Sequence, residues 1–331
     1  MKRNITMLLV LCVSFFIYAQ NNFVKNSNGV TVTLSGTGEN GAKLVRVDAV
    51  KDNIIRVRAV NADSFPDVKS LMVVNTNSGG VKFDVDQNKD TLFLRTKSLL
   101  IKISLSNGGI VFCDASGKTI LSEIKNGGKT IEPVTLENKH LFRIRQQFKS
   151  PAGEAFYGLG QQQEGLYNYK GHDVDLYQYN TKISIPFVIS NKNYGILWDN
   201  YSRTKFGDPR EYGSLSAFKL YDASGKEGGL TADYYNSVKE GKLFLSRRES
   251  QINYEFIPLL KNFPRGFSLA KGKAVWSGTI GPDSSGLYKF RLYSAGHCRM
   301  WINNKLMVDR WRQSWNAFVH LFDLHMNKGQ K

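Results

Sequence analysis

Carboxyl groups close together in sequence are the first residues of this chain whose chemistry could be catalytic. The candidate pairs are Asp173 with Asp175 and Glu154 with Glu164. A retaining glycosidase needs two carboxyls about 5 to 5.5 Å apart, one ionised and one protonated. Asp173 and Asp175 are one residue apart, so on a strand they would share a face with Cα atoms about 6 to 7 Å apart. That spacing is typical of a solvated strand face, and we expect no catalytic residue in this chain.

Histidines and cysteines give no metal or nucleophile pattern. His172 adjoins Asp173, but no serine nucleophile elbow accompanies them, so they do not form a triad. The other four histidines lack metal-ligand spacing; they are His140, His297, His320 and His325. We therefore predict no metal and no cofactor.

The three cysteines do not indicate a disulfide framework. Cys12 lies in the leader described below, and Cys113 and Cys298 fall in different expected domains. We expect the last two to be buried free thiols.

Tryptophans near the end of the chain are candidate ligand-stacking groups. Trp311 and Trp315 lie in a polar segment, residues 309–315, and an aromatic ring can stack on the apolar C–H face of a pyranose. Trp301 and Tyr293 could extend such a surface. For Trp276 and Trp301, a place in a hydrophobic core is an equal alternative.

Composition indicates a folded, basic, exported protein. The 331 residues are 41% hydrophobic, 12% aromatic and 22% charged, which excludes a disordered, collagen-like or multi-span membrane protein. The net charge is +17, or +15 without Lys2 and Arg3. The basic residues are scattered singly and no nucleic-acid motif accompanies them, so we predict no nucleic-acid partner. Solvated strand faces and contact with an anionic cell surface both remain open.

Residues 1–20 have the pattern of a secretory signal peptide. Lys2 and Arg3 precede an apolar run from Ile5 to Ile17, and Ala19 is a small residue at the end. A lipoprotein signal is the alternative, but Cys12 follows Leu11, where that pattern requires a small residue. No later stretch reaches 18 apolar residues, so we expect no transmembrane span and a periplasmic, cell-surface or extracellular location.

Period-two alternation predicts an all-β fold. Strands are expected within 30–34, 43–50, 54–60, 81–85, 91–96, 99–105, 183–190 and 302–308. Glycine and asparagine turns separate them, and no helical period occurs, which indicates an antiparallel β-sandwich. A glycine-rich segment at 224–229 is expected to be a hinge before a second domain.

Residues 156–200 resemble the N-terminal domain of glycoside hydrolase family 31. The resemblance rests on FYGLGQ at 156–161, the polar aromatic loop after it, IPF at 185–187 and YGILWDN at 194–200. It implies a galactose-mutarotase-like β-sandwich over 21–224, most similar to the bacterial α-xylosidase branch that acts on xyloglucan side chains.

Residues 229–331 resemble the protective-antigen-type carbohydrate-binding module, a β-barrel-like domain. The motifs are GLTADYY at 229–235, WSG at 276–278, SGLYKF at 285–290 and WINNKLMVD at 301–309. Calcium-dependent members carry two adjacent aspartates after the strand at 288–290, whereas this chain has Ser294 to His297 there, so we expect no calcium.

Members of the family carry their catalytic aspartates on a (β/α)8 barrel, which needs about 250 residues. The strand–helix alternation typical of such a barrel is not visible in this sequence. Trp198-Asp199-Asn200 lacks the spacer and the methionine of the family's nucleophile segment. The resemblance therefore implies a chain inactive by itself, with a truncated second module, either as a natural truncation or as an incomplete gene model.

The family also implies a role for the loop at 167–180. Asp173 or Asp175 would accept hydrogen bonds from sugar hydroxyls, and Tyr177 and Tyr179 would stack on a pyranose face. An ordinary surface loop with buried tyrosines is the alternative.

We expect an N-terminal part of a secreted α-xylosidase-like hydrolase, with oligo- or polysaccharide such as xyloglucan as ligand and the missing barrel as partner. A stand-alone exported carbohydrate-binding protein is the second hypothesis, and a basic surface-adhesion protein the third.

Overall fold

A computed structural model describes residues 22–74, 80–162, 166–178, 182–208, 211–254, 263–268, 270–313 and 317–331. Over this part of the chain the regular elements are β-strands and one 3₁₀ turn, Leu215–Ala217, which confirms the all-β prediction. No helix there is long and apolar enough to cross a membrane.

The described ranges contain twenty-five strands, numbered here in chain order. The first twelve are β1 Phe23–Lys25, β2 Gly29–Thr33, β3 Leu44–Lys51, β4 Ile54–Val60, β5 Asp84–Asn88, β6 Thr91–Arg95, β7 Leu99–Ser104, β8 Ile110–Asp114, β9 Thr119–Ser122, β10 Lys129–Leu136, β11 Lys139–Gln146 and β12 Phe156–Gln161. The others are β13 Val174–Leu176, β14 Ile183–Ser190, β15 Tyr194–Leu197, β16 Thr204–Phe206, β17 Lys219–Tyr221, β18 Leu230–Tyr235, β19 Leu243–Glu249, β20 Lys273–Ser277, β21 Thr279–Gly281, β22 Gly286–Ser294, β23 Cys298–Ile302, β24 Lys305–Arg310 and β25 Phe318–Met326.

The chain folds into two compact units. The first contains the described residues up to Leu159 and returns for Pro186–Ser202, and the second contains Gly160–Ile185 and Arg203–Lys331. The sequence predicts a boundary at 224–229. In the structure, residues 160–185 and 203–223, which precede that boundary, also group with the second unit.

The first unit is a β-sandwich. One antiparallel sheet has the order β1-β2-β3-β4 and the other the order β5-β6-β7-β8-β9. Alternate residues of the two sheets fill a common core; fully buried examples are Val30, Val32, Val45, Val47, Leu92, Leu94, Ile101 and Ile103. This confirms the predicted galactose-mutarotase-like sandwich.

One expected strand starts later than the alternation predicts. Val81 and Phe83 pack against the sandwich core, but β5 begins only at Asp84. Apolar alternation reports burial, and a segment can be buried without joining a hydrogen-bonded ladder.

The asparagine turns are where the sequence predicts them. Asn193, between β14 and β15, has φ 63°, and Asn303 and Asn304, between β23 and β24, have φ 48° and 61°. Asparagine tolerates this left-handed backbone, so both hairpins close tightly.

The second unit is built from small antiparallel sheets. Their orders are β19-β18-β20, β22-β25, β23-β24, β17-β21 and β13-β16. The buried Tyr234 lies among aromatic rings 5.5 to 6.1 Å away, those of Phe263, Phe267 and Trp276. Trp276 is half-buried in this aromatic cluster, and its Nε1 donates to Glu249 at 2.7 Å.

The glycine-rich segment at 224–229 forms an ordered turn. The Asp222 carboxylate accepts from the Ser224 amide at 3.0 Å and the Lys226 amide at 2.9 Å. Gly225 supplies the left-handed residue, with φ 85°. Asp222 also pairs with Arg248 at 2.6 Å, which fixes the turn against β19.

Neither described cysteine forms a disulfide. Cys113 is buried, as expected, whereas Cys298 is half-buried.

Candidate functional site

The polar aromatic loop is tied to the segment around residues 204–208. β13 and β16 pair with Val174 opposite Phe206 and Leu176 opposite Thr204. The Asp173 carboxylate accepts from the Asp208 amide at 2.9 Å. A Cβ on Gly207, whose φ is 117°, would lie 2.5 Å from the His172 carbonyl oxygen, so only glycine permits this close approach.

Asp175 lies beside an arginine on the exposed side of the β13–β16 ribbon. The Arg203 guanidinium donates from Nε to both Asp175 oxygens, at 3.1 and 3.2 Å, and Nη2 donates to Oδ2. Its Cζ lies 5.8 Å from the centre of the Tyr177 ring, and Tyr177 is 55% exposed. A carboxylate, a planar cation and an aromatic ring thus share one solvent-facing patch, which we call the loop patch.

The two aspartates have different roles, so they do not act as a pair. β13 begins at Val174, so Asp173 precedes the strand and its carboxylate closes the loop onto Asp208, whereas Asp175 faces Arg203. Tyr177 is exposed, which contradicts the alternative of buried tyrosines at this position. Tyr179 lies outside the described residues.

Glu154 is structural. Its buried carboxylate accepts from Ser190 at 2.7 Å, Tyr194 at 2.6 Å and Ser150 at 2.9 Å, and burial together with this carboxylate raises the pKa of Tyr194. Glu164, its expected partner, lies outside the described residues.

His172 is half-buried at the start of the loop patch. Burial and the neighbouring Lys289 ammonium lower its pKa, while the Asp173 charge opposes them. Both effects favour the neutral form of its imidazole. The described residues hold no group of three or more His, Cys, Asp or Glu side chains placed to bind a metal ion.

The β23–β24 hairpin presents a second aromatic face. Trp301 and Trp311 are each 56% exposed, so Trp301 is not a core residue. Arg299, on the same face of β23, donates to Asp309 at 2.9 Å and lies 4.5 Å from the centre of the Trp311 ring. Leu306, opposite Trp301 in the register, is also exposed. We call this surface the hairpin platform.

Trp311 is thus an exposed ring, as the stacking hypothesis requires, and its position is fixed by Arg299 and by His297, whose ring lies 5.3 Å away. Trp315 lies outside the described residues. Tyr293 is exposed on β22, a different strand.

Sequence reasoning missed Arg203 and the platform role of Arg299. Arg203 reaches Asp175 only through the β13–β16 pairing, which no local pattern predicts. The position of Arg299 could have been predicted, because strand alternation puts it on the same face as Trp301. The structure has that face more exposed than the face of Cys298 and Met300.

Comparison with known proteins adds family information to this geometry. Residues 44–206 match the model of the glycosyl hydrolase 31 N-terminal galactose mutarotase-like domain, and residues 226–327 match the PA14 domain.

Curated relatives include an alpha-xylosidase of Saccharolobus solfataricus, 30% identical over 201 residues, which are 58% of this chain and 25% of that protein. An isomaltosyltransferase of Sporosarcina globispora is 25% identical over 169 residues, 48% of this chain and 15% of that protein.

Among solved structures, a GH31 alpha-xylosidase from Xanthomonas citri is 40% identical with a TM-score of 0.80, covering 92% of this chain and 33% of that one. The chain thus spans a third or less of the length of these relatives.

Proposed function

The chain carries a glycosyl hydrolase 31 N-terminal galactose mutarotase-like domain followed by a PA14 domain, and we propose that it supplies carbohydrate binding to a secreted α-xylosidase-like glycosidase. The described residues would bind sugar without cleaving it. The reaction would belong to a catalytic barrel, and the substrate class would be xyloglucan-type oligosaccharides.

The observation that carries this proposal is the loop patch. Asp175 offers hydrogen-bond acceptors, Arg203 offers donors in a fixed plane, and Tyr177 offers an exposed ring within 5.8 Å of the Arg203 guanidinium. A pyranose needs all three, because its hydroxyls both donate and accept while its C–H face is apolar. The carboxylate and guanidinium cancel in charge, which favours a neutral sugar over an ionic ligand.

The hairpin platform supports a second sugar contact in the PA14 domain. Trp301 and Trp311 are exposed rings, and the Arg299–Asp309 pair adds donors and acceptors without net charge. Trp311 was expected as a ligand residue from its polar surroundings, and Trp301 joins it.

An apolar strand face supports a further domain as partner. In the part of β14 that belongs to the first unit, Phe187 and Ile189 are exposed, whereas Val188 and Ser190 on the other face are buried. Strands normally expose their polar face, so this inverted pattern favours contact with another domain, and we propose the catalytic barrel.

Secretion is supported by the leader pattern at 1–20, which lies outside the described residues.

The intact mass of the product in the exporting cell tests whether these domains are part of a longer hydrolase. A mass well above 37.4 kDa is expected for a chain that continues into a barrel. A mass slightly below that value would favour the stand-alone carbohydrate-binding protein instead.

Binding is tested by affinity electrophoresis and calorimetry of the chain with xyloglucan and its oligosaccharides. Tyr177→Ala should weaken binding about twofold to twelvefold, since an aromatic contact contributes about 0.5 to 1.5 kcal/mol. Tyr157→Ala removes an exposed tyrosine on β12, outside the loop patch, so it is the matched control and should bind as the wild type does.

The outcome against the proposal is failure of the folded wild-type chain to bind any neutral polysaccharide. Hydrolysis of an aryl α-xyloside by the pure chain would overturn the assignment of catalysis to a barrel.

A further inference from the structure

Strand β22 of the PA14 domain directs two cationic side chains at the loop that carries the loop patch. Lys289 and Arg291 are separated by one residue and so share one face of the strand. The Lys289 ammonium donates to the Gly171 carbonyl at 2.9 Å, across 118 residues of sequence. Gly171 lies in a left-handed conformation, with φ 80°, two residues before Asp173.

Arg291 reaches the other support of the loop. Its guanidinium carbon lies 4.3 Å from the centre of the Tyr212 ring. Burial, and after it the charge of the Asp173 carboxylate, raise the pKa of the Tyr212 hydroxyl to about 12. Arg291 therefore contacts an aromatic ring of the segment that follows β16.

The opposite face of β22 contacts the same flanking segment. The Phe218 ring lies 5.4 Å from that of Tyr288 and 5.5 Å from that of Phe290, ring centre to ring centre. β17, which follows Phe218, pairs with β21 in the PA14 domain. Both faces of β22 thus hold the chain on the C-terminal side of the loop patch, and the loop and the PA14 domain fall in one compact unit.

From these contacts we propose that β22 of the PA14 domain is the support that sets the position of the loop patch, with Lys289 and Arg291 as positioning residues for the sugar site. By sequence the loop belongs to the hydrolase domain, since that family match runs to residue 206, but its anchor lies in the domain that follows. The consequence for sugar binding rests on the proposed function, whereas the anchoring can be measured without any ligand.

Removal of the two positive charges should loosen the loop. In hydrogen–deuterium exchange of the full chain, Lys289→Met combined with Arg291→Met should accelerate exchange at residues 166–173 about threefold to tenfold, because a charge-assisted hydrogen bond and a cation–π contact are lost. Lys305→Met, an exposed lysine in the β23–β24 hairpin, is the matched control. Lys289→Arg keeps a cationic hydrogen-bond donor for the Gly171 carbonyl, so exchange of the loop in this variant should be as slow as in the wild type.

His172 gives a local readout that a general loss of stability would not imitate. In a histidine-resolved NMR titration, Lys289→Met should move the pKa of His172 upward, since the Lys289 charge lowers it in the wild type. Lys305→Met should leave that pKa in place, and His172→Gln assigns the resonance.

Unchanged exchange at 166–173 in the double variant, or an unmoved His172 titration in Lys289→Met, overturns the anchoring. A sugar arm then tests its consequence. The double variant should bind a xyloglucan oligosaccharide at least about threefold more weakly than the wild type. Trp301→Ala, in the separate hairpin platform, should leave hydrogen–deuterium exchange of the loop unchanged. Wild-type affinity in a double variant with a loosened loop overturns the positioning role. If the wild type binds no xyloglucan, the proposed function fails, while exchange and titration still decide the anchoring.

Discussion

The Lys129 ammonium and the Glu123 carboxylate form an ion pair inside the first unit, with side chains 8% and 3% exposed. Lys129 also donates to the Gly108 carbonyl at 3.0 Å, and Glu123 accepts from the Ile110 amide at 2.9 Å. The pair therefore links the start of β10 to β8 and to the glycine turn before it. Burial of one partner without the other is costly, because the remaining charge keeps its desolvation penalty.

Glu123→Gln should destabilise the protein in chemical denaturation at pH 8, where the Glu123 carboxyl is ionised, because the substitution leaves the buried Lys129 charge unpaired. The control is Glu132→Gln, whose carboxylate pairs with Arg143 at 3.2 Å on an exposed ribbon. A surface pair of that kind contributes about 0.2 to 1 kcal/mol. Equal losses from the two substitutions would contradict a special role for the buried pair.

The same carboxyl group should give a distinctive pH dependence. Burial raises the pKa of Glu123 from 4.5 to about 7, against the opposing Lys129 charge. Between those values the folded chain binds more protons than the unfolded chain, so the contribution of Glu123 to the free energy of unfolding falls as pH rises. The stability difference between wild type and Glu123→Gln should therefore shrink from pH 5 to pH 8. A difference that stays constant from pH 5 to pH 8 would contradict the raised pKa, because a carboxyl ionised in both states contributes no pH dependence.

Gly207→Ala should disrupt the loop patch. A Cβ there would lie 2.5 Å from the His172 carbonyl oxygen and 2.7 Å from Asp173 Oδ1, on a backbone with φ 117°. We expect a loss of more than about 1 kcal/mol and faster amide exchange at 171–176. Gly213→Ala is the control, since nothing lies within 4 Å of its Cβ. Similar stability of the two variants would show that the loop does not pack on Gly207.

Tyr234→Phe should weaken the core of the second unit. The Tyr234 hydroxyl donates to Glu249 at 2.6 Å, and Arg247 and Trp276 donate to the same carboxylate at 2.6 and 2.7 Å. Removal of one donor from a buried carboxylate costs about 1 to 3 kcal/mol. The neighbouring Tyr235→Phe, on the other face of β18, should change the melting temperature by much less. A reversed order would contradict the role of Glu249.

The sequence by itself determined the local structure of this protein. Period-two alternation placed the sandwich strands, because a half-buried strand must alternate. Asparagine-containing turns placed the tight hairpins at Asn193 and Asn303. The motifs at 156–200 and 229–309 carried the family resemblance. Residue type also indicated which side chains suit a sugar, namely Asp175, Tyr177 and Trp311.

Only the tertiary structure decided which of these residues lie together. Asp175 meets Arg203 through a strand pairing. Trp276 is half-buried in an aromatic cluster, whereas Trp301 faces solvent, and Gly171 is held by Lys289 from 118 residues away. A local pattern shows that a strand has two faces, but not what covers each face. That depends on contacts distant in sequence, which is why the loop of the hydrolase domain is anchored by the domain that follows it.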